Sequence, residues 1–216
     1  MILRDRPAWR RIAPFFSRRS RWLATVAVVP SLTSYCIRRV LVGRDRALEG
    51  STQALSLIPG ITGQYLRRAF LARVLASCDW TVTVEFGTIF SRAGTRIEAD
   101  VYIGPRCHVG LVHIGRDVLV AAGVHMPSGP ETHGIEDLSR LIREQPGRQR
   151  MVRIGAGSWI GGAAIVMADV GQDSVVAAGS VVSRPIPDRV IAAGVPARVI
   201  RNRLPAVDSL RVKQAV

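Results

Sequence analysis

Cysteine is scarce in this 216-residue chain. Cys36, Cys78 and Cys107 are odd in number and far apart, with no Cys-x-x-Cys and no Cys/His cluster at zinc spacing. That excludes a disulfide framework and a structural metal, and it fits a reducing compartment. Lysine is scarcer still: Lys213 is the single one among 30 basic residues, the rest being arginine. Acidic groups number 16, for a net charge of +14, and the deficit is uneven. Residues 1–73 hold 14 arginines against three acids, Asp5, Asp45 and Glu49, whereas the remainder is nearly balanced. Long uninterrupted apolar runs are also missing. The stretch from Trp22 to Ile37 follows seven arginines in the manner of a signal peptide, but Pro30 and several Ser/Thr break it and Arg38 and Arg39 close it. It lacks a small-residue cleavage site and falls short of the ~20 apolar residues that span a bilayer, so neither secretion nor a clean transmembrane helix is expected, and the expected location is cytoplasmic. With 48% hydrophobic residues, intrinsic disorder is excluded and one main domain with a substantial core is expected.

What is present is rhythm. From about Val82 to Val182 aliphatic residues return every sixth position: Ile97, Ile103, Ile114 and Val120 open one block of hexads, and Ile154, Ile160, Val166, Val170, Val176 and Val182 a second. The Val166–Asp169 hexad is clipped to VMAD. A short fixed period of this kind marks a parallel β-helix, in which one repeat cannot bury its apolar face alone but a stack of repeats can. The aliphatic points into the coil, the Gly or Ala after it leaves room for a corner, and the small fifth residue (Ser158, Ala164, Ser174, Ser180) fits inside the turn. A β-sandwich would give turn signals at longer spacing with alternating strands between them.

The runs IGAGSWIGGAAIVMADV (154–170), VVAAGSVVSRPIP (175–187) and AAGVPARVIRNR (192–203) resemble the hexapeptide-repeat acyltransferases, in particular the sugar and polysaccharide O-acetyltransferases such as the colanic acid acetyltransferases, and more distantly the galactoside and nodulation-factor enzymes. The resemblance covers residues 80–203. It implies a mainly β fold, a left-handed parallel β-helix preceded by a short α-helical region. The expected organisation is a basic helical N-terminal region 1–79, the β-helix 80–203 with an extruded loop 126–150, and a tail 204–216. It also implies acetyl-CoA as co-substrate, no metal, a saccharide or glycan acceptor that could be lipid-linked, and a homotrimer with sites between subunits.

By the same resemblance the catalytic histidine lies in the loop MPSGPETHGIEDLSRLIREQPGRQR, where His133 is the match and His125, on the loop's lip, the alternative. A neutral imidazole can take the hydroxyl proton as the hydroxyl attacks a thioester. Glu136, or else Glu131 or Asp137, would orient the ring. The donor's pantetheine would lie along Trp159, Gly162, Ala177, Ala178 and Gly179, and its phosphates would meet Arg198, Arg201 and Arg203. His108 and His113 have the spacing of paired metal ligands in γ-class carbonic anhydrases, but no third histidine precedes them, so that reading is set aside. An amino-sugar N-acetyltransferase, an acyl-carrier-protein donor and a non-catalytic β-helix scaffold remain as alternatives.

Residues 20–75 read helically. Leu66, Ala69, Phe70 and Val74 share one face with Arg67, Arg68 and Arg73 elsewhere, and Trp22, Val26, Val29, Tyr35 and Val40 alternate with Arg18, Arg19, Arg21, Arg38 and Arg39. Such basic helices suit peripheral contact with an anionic membrane, or else cap the coil or pack in the trimer. Nucleic acid is not an expected partner, since no recognition motif is present.

Overall fold

The computed structural model describes residues 18–203; the first 17 residues of the expected N-terminal region and the expected tail 204–216 lie outside the described residues. From Ser77 onward the chain alternates very short strands with turns, and every third strand rejoins the same parallel sheet, so three sheets form the sides of a prism. The first face stacks Ser77–Cys78, Arg96–Ile97, Val112–Ile114 and Val152–Ile154, extended by single bridges through Val170 and Ile186. On the second lie Thr83–Val84, Tyr102–Ile103, Leu119–Val120, Trp159–Ile160, Val175–Val176 and Val190–Ala193. The third carries Ile89–Phe90, His108–Val109, His125–Met126, Ile165–Val166 and Val181–Val182. The hexad-opening aliphatics all point inward, none more than 2% exposed, and form one continuous column.

The turns explain the rest of the hexad. At the second position, a Cβ on Gly155 would lie 2.3 Å from Gln172 N and one on Gly161 2.4 Å from Ala178 N, because the next coil passes directly against the corner. The fourth position of the full hexads is left-handed, and that of the clipped one is not: Asp100, Arg106, Asp117, Ala163 and Asp173 have φ between 53° and 58°, alongside Gly123, Gly157 and Gly179. At the fifth, the hydroxyls do more than fit. Ser158 Oγ donates to Gly171 O (2.7 Å) and accepts from Ser174 N–H (3.1 Å), and Ser174 Oγ donates to Pro187 O (2.8 Å) and accepts from Val190 N–H (3.2 Å). Thr88 plays the same part between Gly104 O and Cys107 N–H. These buried side chains stitch successive coils together.

The corner between the third and first faces is irregular. The clipped link from Val166 to Val170 is stacked on an equally short one from Val182 to Ile186, and the long loop 126–150 leaves the prism at this same corner one coil earlier.

Three helices cover the open end: α1 (Arg18–Val42), α2 (Arg44–Ser56) and α3 (Gly60–Val74). The first coil has no preceding coil to satisfy its backbone, and the helices supply the partners. Arg67 Nε donates to Val84 O (2.9 Å), Arg68 Nε donates to Val82 O, Thr52 Oγ1 bonds both the N–H and the carbonyl of Phe90, and Asp45 accepts from Ala93 N–H. Arg67 and Arg68, set apart from the apolar face in the sequence pattern, are therefore inside, 3% and 2% exposed, because carbonyls of the first coil need buried donors. Burial pulls both guanidiniums below their ordinary range, Arg68 to about 10. Tyr35 also differs from the sequence grouping; it packs edge-on against Phe70 at 5.8 Å and is 3% exposed, while Trp22, Val26, Val29 and Val40 face outward. Helix α1 continues through Pro30, and Arg21–Val42 is long and apolar enough to cross a membrane by length and composition, a longer element than the broken apolar run suggests. At the other end Arg198–Asn202 turns back antiparallel on Val190–Ala193 and occupies the edge of the second face.

Candidate active site

The flap, 126–150, is braced at its stem, where Arg150 N–H donates to Ser128 O (2.8 Å) and Arg148 N–H to Glu131 O (2.6 Å). Gly147 must be glycine there, since a Cβ would lie 2.0 Å from Thr132 O. Farther out, one buried amide shapes the loop: Gln145 Nε2 donates to Asp137 O (2.8 Å) and Arg140 O (3.1 Å), and its oxygen accepts from Asp137 N–H (3.1 Å). An open cleft of about 600 Å³ results, bordered by Glu131, His133, Glu136, Arg140 and Arg148. His133 is exposed to it. No carboxylate hydrogen-bonds its ring among the described residues; Glu136 borders the same cleft, and Asp137 instead accepts from the Ser139 N–H (3.0 Å) and hydroxyl (2.6 Å), which holds its carboxyl below the usual range.

The other histidines have partners of their own. His125 stands outward on the third face and stacks on His108, ring centroids 5.5 Å apart at 25°. Burial, then the neighbouring His125, lowers the His108 pKa; Arg92 acts the same way and Glu49 opposes. His113 Nε2 lies 3.0 Å from Glu98 Oε1 on the first face. The metal-like spacing of His108 and His113 is thus split between two faces of the prism.

The expected donor residues gather elsewhere. Gly162, Ala177, Ala178 and Gly179 stack at the corner between the second and third faces, where Gly179 N–H donates to Gly162 O (2.8 Å). Ala178 and Gly179 are exposed, and a Cβ on Gly179 would meet nothing within 4 Å, so this corner is open to a ligand's approach. Trp159, 48% exposed, stands on the second face between Leu119 and Val175. Arg198, Arg201 and Arg203 are exposed along the edge of that face; Arg201 reaches Asn202 O (3.3 Å) and Arg203 reaches Asp173 O (2.9 Å), leaving guanidinium donors turned to solvent. Indole, small corner and arginines thus lie on the second face or at its borders, while His133 and Glu136 belong to the flap at the corner between the third and first faces.

The outward side chains were not read from the sequence, although the residue before each inward aliphatic carries the signal. On the first face they are polar: Ser77, Arg96, His113 and Arg153. The second carries Thr83, Tyr102, Leu119, Trp159, Val175 and Ile191; the third carries Ile89, His108, His125, Ile165 and Val181.

Residues 94–125 and 151–184, the blocks on either side of the flap, match the hexapeptide repeat of succinyl-transferase. Those repeats wind into a three-sided coil, a left-handed parallel β-helix, and in both repeats and fold the chain is similar to the hexapeptide-repeat acyltransferases. Over 94 residues it is 38% identical to the galactoside O-acetyltransferase of Escherichia coli K12, a match covering 42% of this chain and 44% of that enzyme. The fold of a maltose O-acetyltransferase from Clostridium difficile 630 superposes with a TM-score of 0.66 at 22% identity, over 77% of this chain and 89% of the other. A hexapeptide-repeat acetyltransferase of Vibrio cholerae O1, solved in complex with acetyl-coenzyme A, gives 0.61 at 20% identity over 74% and 89%. The chain spans between 27% and 44% of the length of the curated relatives it matches.

Proposed function

We propose that this protein is an acetyl-CoA-dependent O-acetyltransferase that acts in the cytoplasm on a hydroxyl of a saccharide or glycan, with His133 as general base. The observation that carries the reading is the long interruption of the repeats: a histidine-bearing flap braced on a rigid coil, in a fold shared with enzymes named for acetyl transfer to sugars. The acceptor hydroxyl attacks the thioester carbonyl carbon as imidazole takes its proton. The tetrahedral oxyanion collapses, the C–S bond breaks, and the leaving thiolate is protonated by the imidazolium, with no covalent acyl-enzyme. Pantetheine would run along the small-residue corner beside Trp159, with Arg198, Arg201 and Arg203 toward the phosphates.

Those two halves lie at different corners of one prism, which supports a closed trimer in which the flap of one protomer meets the donor corner of the next. The outward faces agree with this. Two are largely apolar and one is polar, and a prism in a ring of three contacts two neighbours and leaves one side to water. The cap speaks against an end-to-end scaffold, since the first coil's carbonyls already have partners.

His133→Ala should lower kcat by about 10²- to 10⁴-fold while the melting temperature stays put, because the side chain is exposed. Turnover within a few-fold of wild type would overturn the assignment. A thermal-shift measurement with coenzyme A separates donor binding from chemistry, since a ligand at a hundred times its Kd adds about 2.7 kcal/mol.

A further inference from the structure

Along α1 the outward positions Trp22, Val26, Val29, Ile37 and Val40 follow one another at helical spacings and carry no charge. They are 68%, 49%, 49%, 59% and 80% exposed, and Leu41 and Val42 add 75% and 49% at the helix's end. Immediately beside that end, Arg39, Arg44 and Arg73 line a pocket of about 260 Å³ floored by Tyr35 and Val74, with no carboxylate in its wall. The nearest acid in sequence, Asp45, is turned away toward Arg92 and the Ala93 N–H.

We propose that this end of the cap docks on an anionic phospholipid leaflet, with Ile37, Val40, Leu41 and Val42 entering the acyl boundary and a lipid phosphate seated among Arg39, Arg44 and Arg73. Aliphatics flanked by guanidiniums match a surface that is apolar beneath and negative above. A second copy of the chain is a poor occupant, because a symmetric contact here would set the arginines of both copies against each other. The helix lies on the surface and does not thread it. Ala24, Val28 and Tyr35 are buried against the cap, Thr25 is tied to Arg73 (2.7 Å) and Arg38 to Ser51 (2.8 Å), so α1 is fastened along its length to helices that are themselves bonded to the prism. Docking does not depend on the acetyl-transfer reading.

The test is flotation of the full chain with phosphatidylcholine vesicles, with and without phosphatidylglycerol. The wild type should co-float with the anionic vesicles and release at high salt. V40E combined with L41E should abolish co-flotation with an unchanged circular dichroism spectrum, both side chains being largely in solvent. Arg39→Gln should weaken binding to anionic vesicles about fivefold, the effect of one arginine near a charged leaflet. The proposal is overturned if the wild type stays at the bottom of the gradient, if neutral vesicles bind as well as anionic ones, if either variant floats like wild type, or if V40E/L41E instead splits a larger assembly into smaller ones, which would make a second copy the occupant.

Discussion

In the prism, Ile97 lies over Ile114 and Ile114 over Ile154, and most buried side chains meet another aliphatic one coil away. In the cap, Leu48, Phe70 and Leu71 meet unlike neighbours, and two arginines are buried among them. The prism therefore spreads its stability over many similar nearest-neighbour contacts, whereas the cap concentrates it in a few side chains found once. The cap also does a job the prism cannot, since a stack of identical coils always leaves its first coil without a partner.

The sharpest test of that difference is Phe70→Ala. Phe70 is fully buried between the helices and the first coil, and its loss should cost about 3–5 kcal/mol by denaturant unfolding, with no way for a repeat to share the damage. Within the prism the expected effects are smaller and depend on corner. Gly161→Ala drives a methyl into the Ala178 backbone and should cost about 1–3 kcal/mol, whereas Gly179→Ala meets open space and should lose only the ~1 kcal/mol of its left-handed backbone. Equal losses at the two glycines would break the account of the corners. The smallest effect couples the two regions. His108, flanked by His125, Arg92 and Glu49 of α2, has its folded pKa lowered, so the unfolded chain takes up a proton near pH ~6.5 and the folded chain only at lower pH. Stability should fall as the pH drops through that value and be flat above it, and His108→Gln should flatten the acid side of a plot of Tm against pH.

The repeats were legible because inward aliphatics recur at a fixed interval and any departure would open the core. The flap was legible as a break in that interval. The left-handed fourth position was written in Asp100, Asp117, Gly157 and Gly179 but masked by Arg106 and Ala163, which tolerate the strain without announcing it. The cap differs from its sequence pattern in several places, Tyr35 turning inward onto Phe70 and α1 running unbroken through Pro30, but the buried arginines are the instructive case. Arg67 and Arg68 look like surface charges beside Phe70, and only the position of strand carbonyls from another part of the chain reveals why they are inside. That His133 and the small-residue corner of Gly162 and Gly179 belong to different edges of the prism was hidden too, because hexad counting gives each residue's place in a coil but not which corner a break occupies.

The cap's bonds to the first coil also bear on how the molecule winds. Its helices precede the coils in the chain, so during synthesis a finished platform of donors, Arg67, Arg68 and Thr52, is waiting when Val82 to Phe90 emerge. Each later coil then needs only its predecessor as a template, and growth proceeds in one direction from a fixed seed.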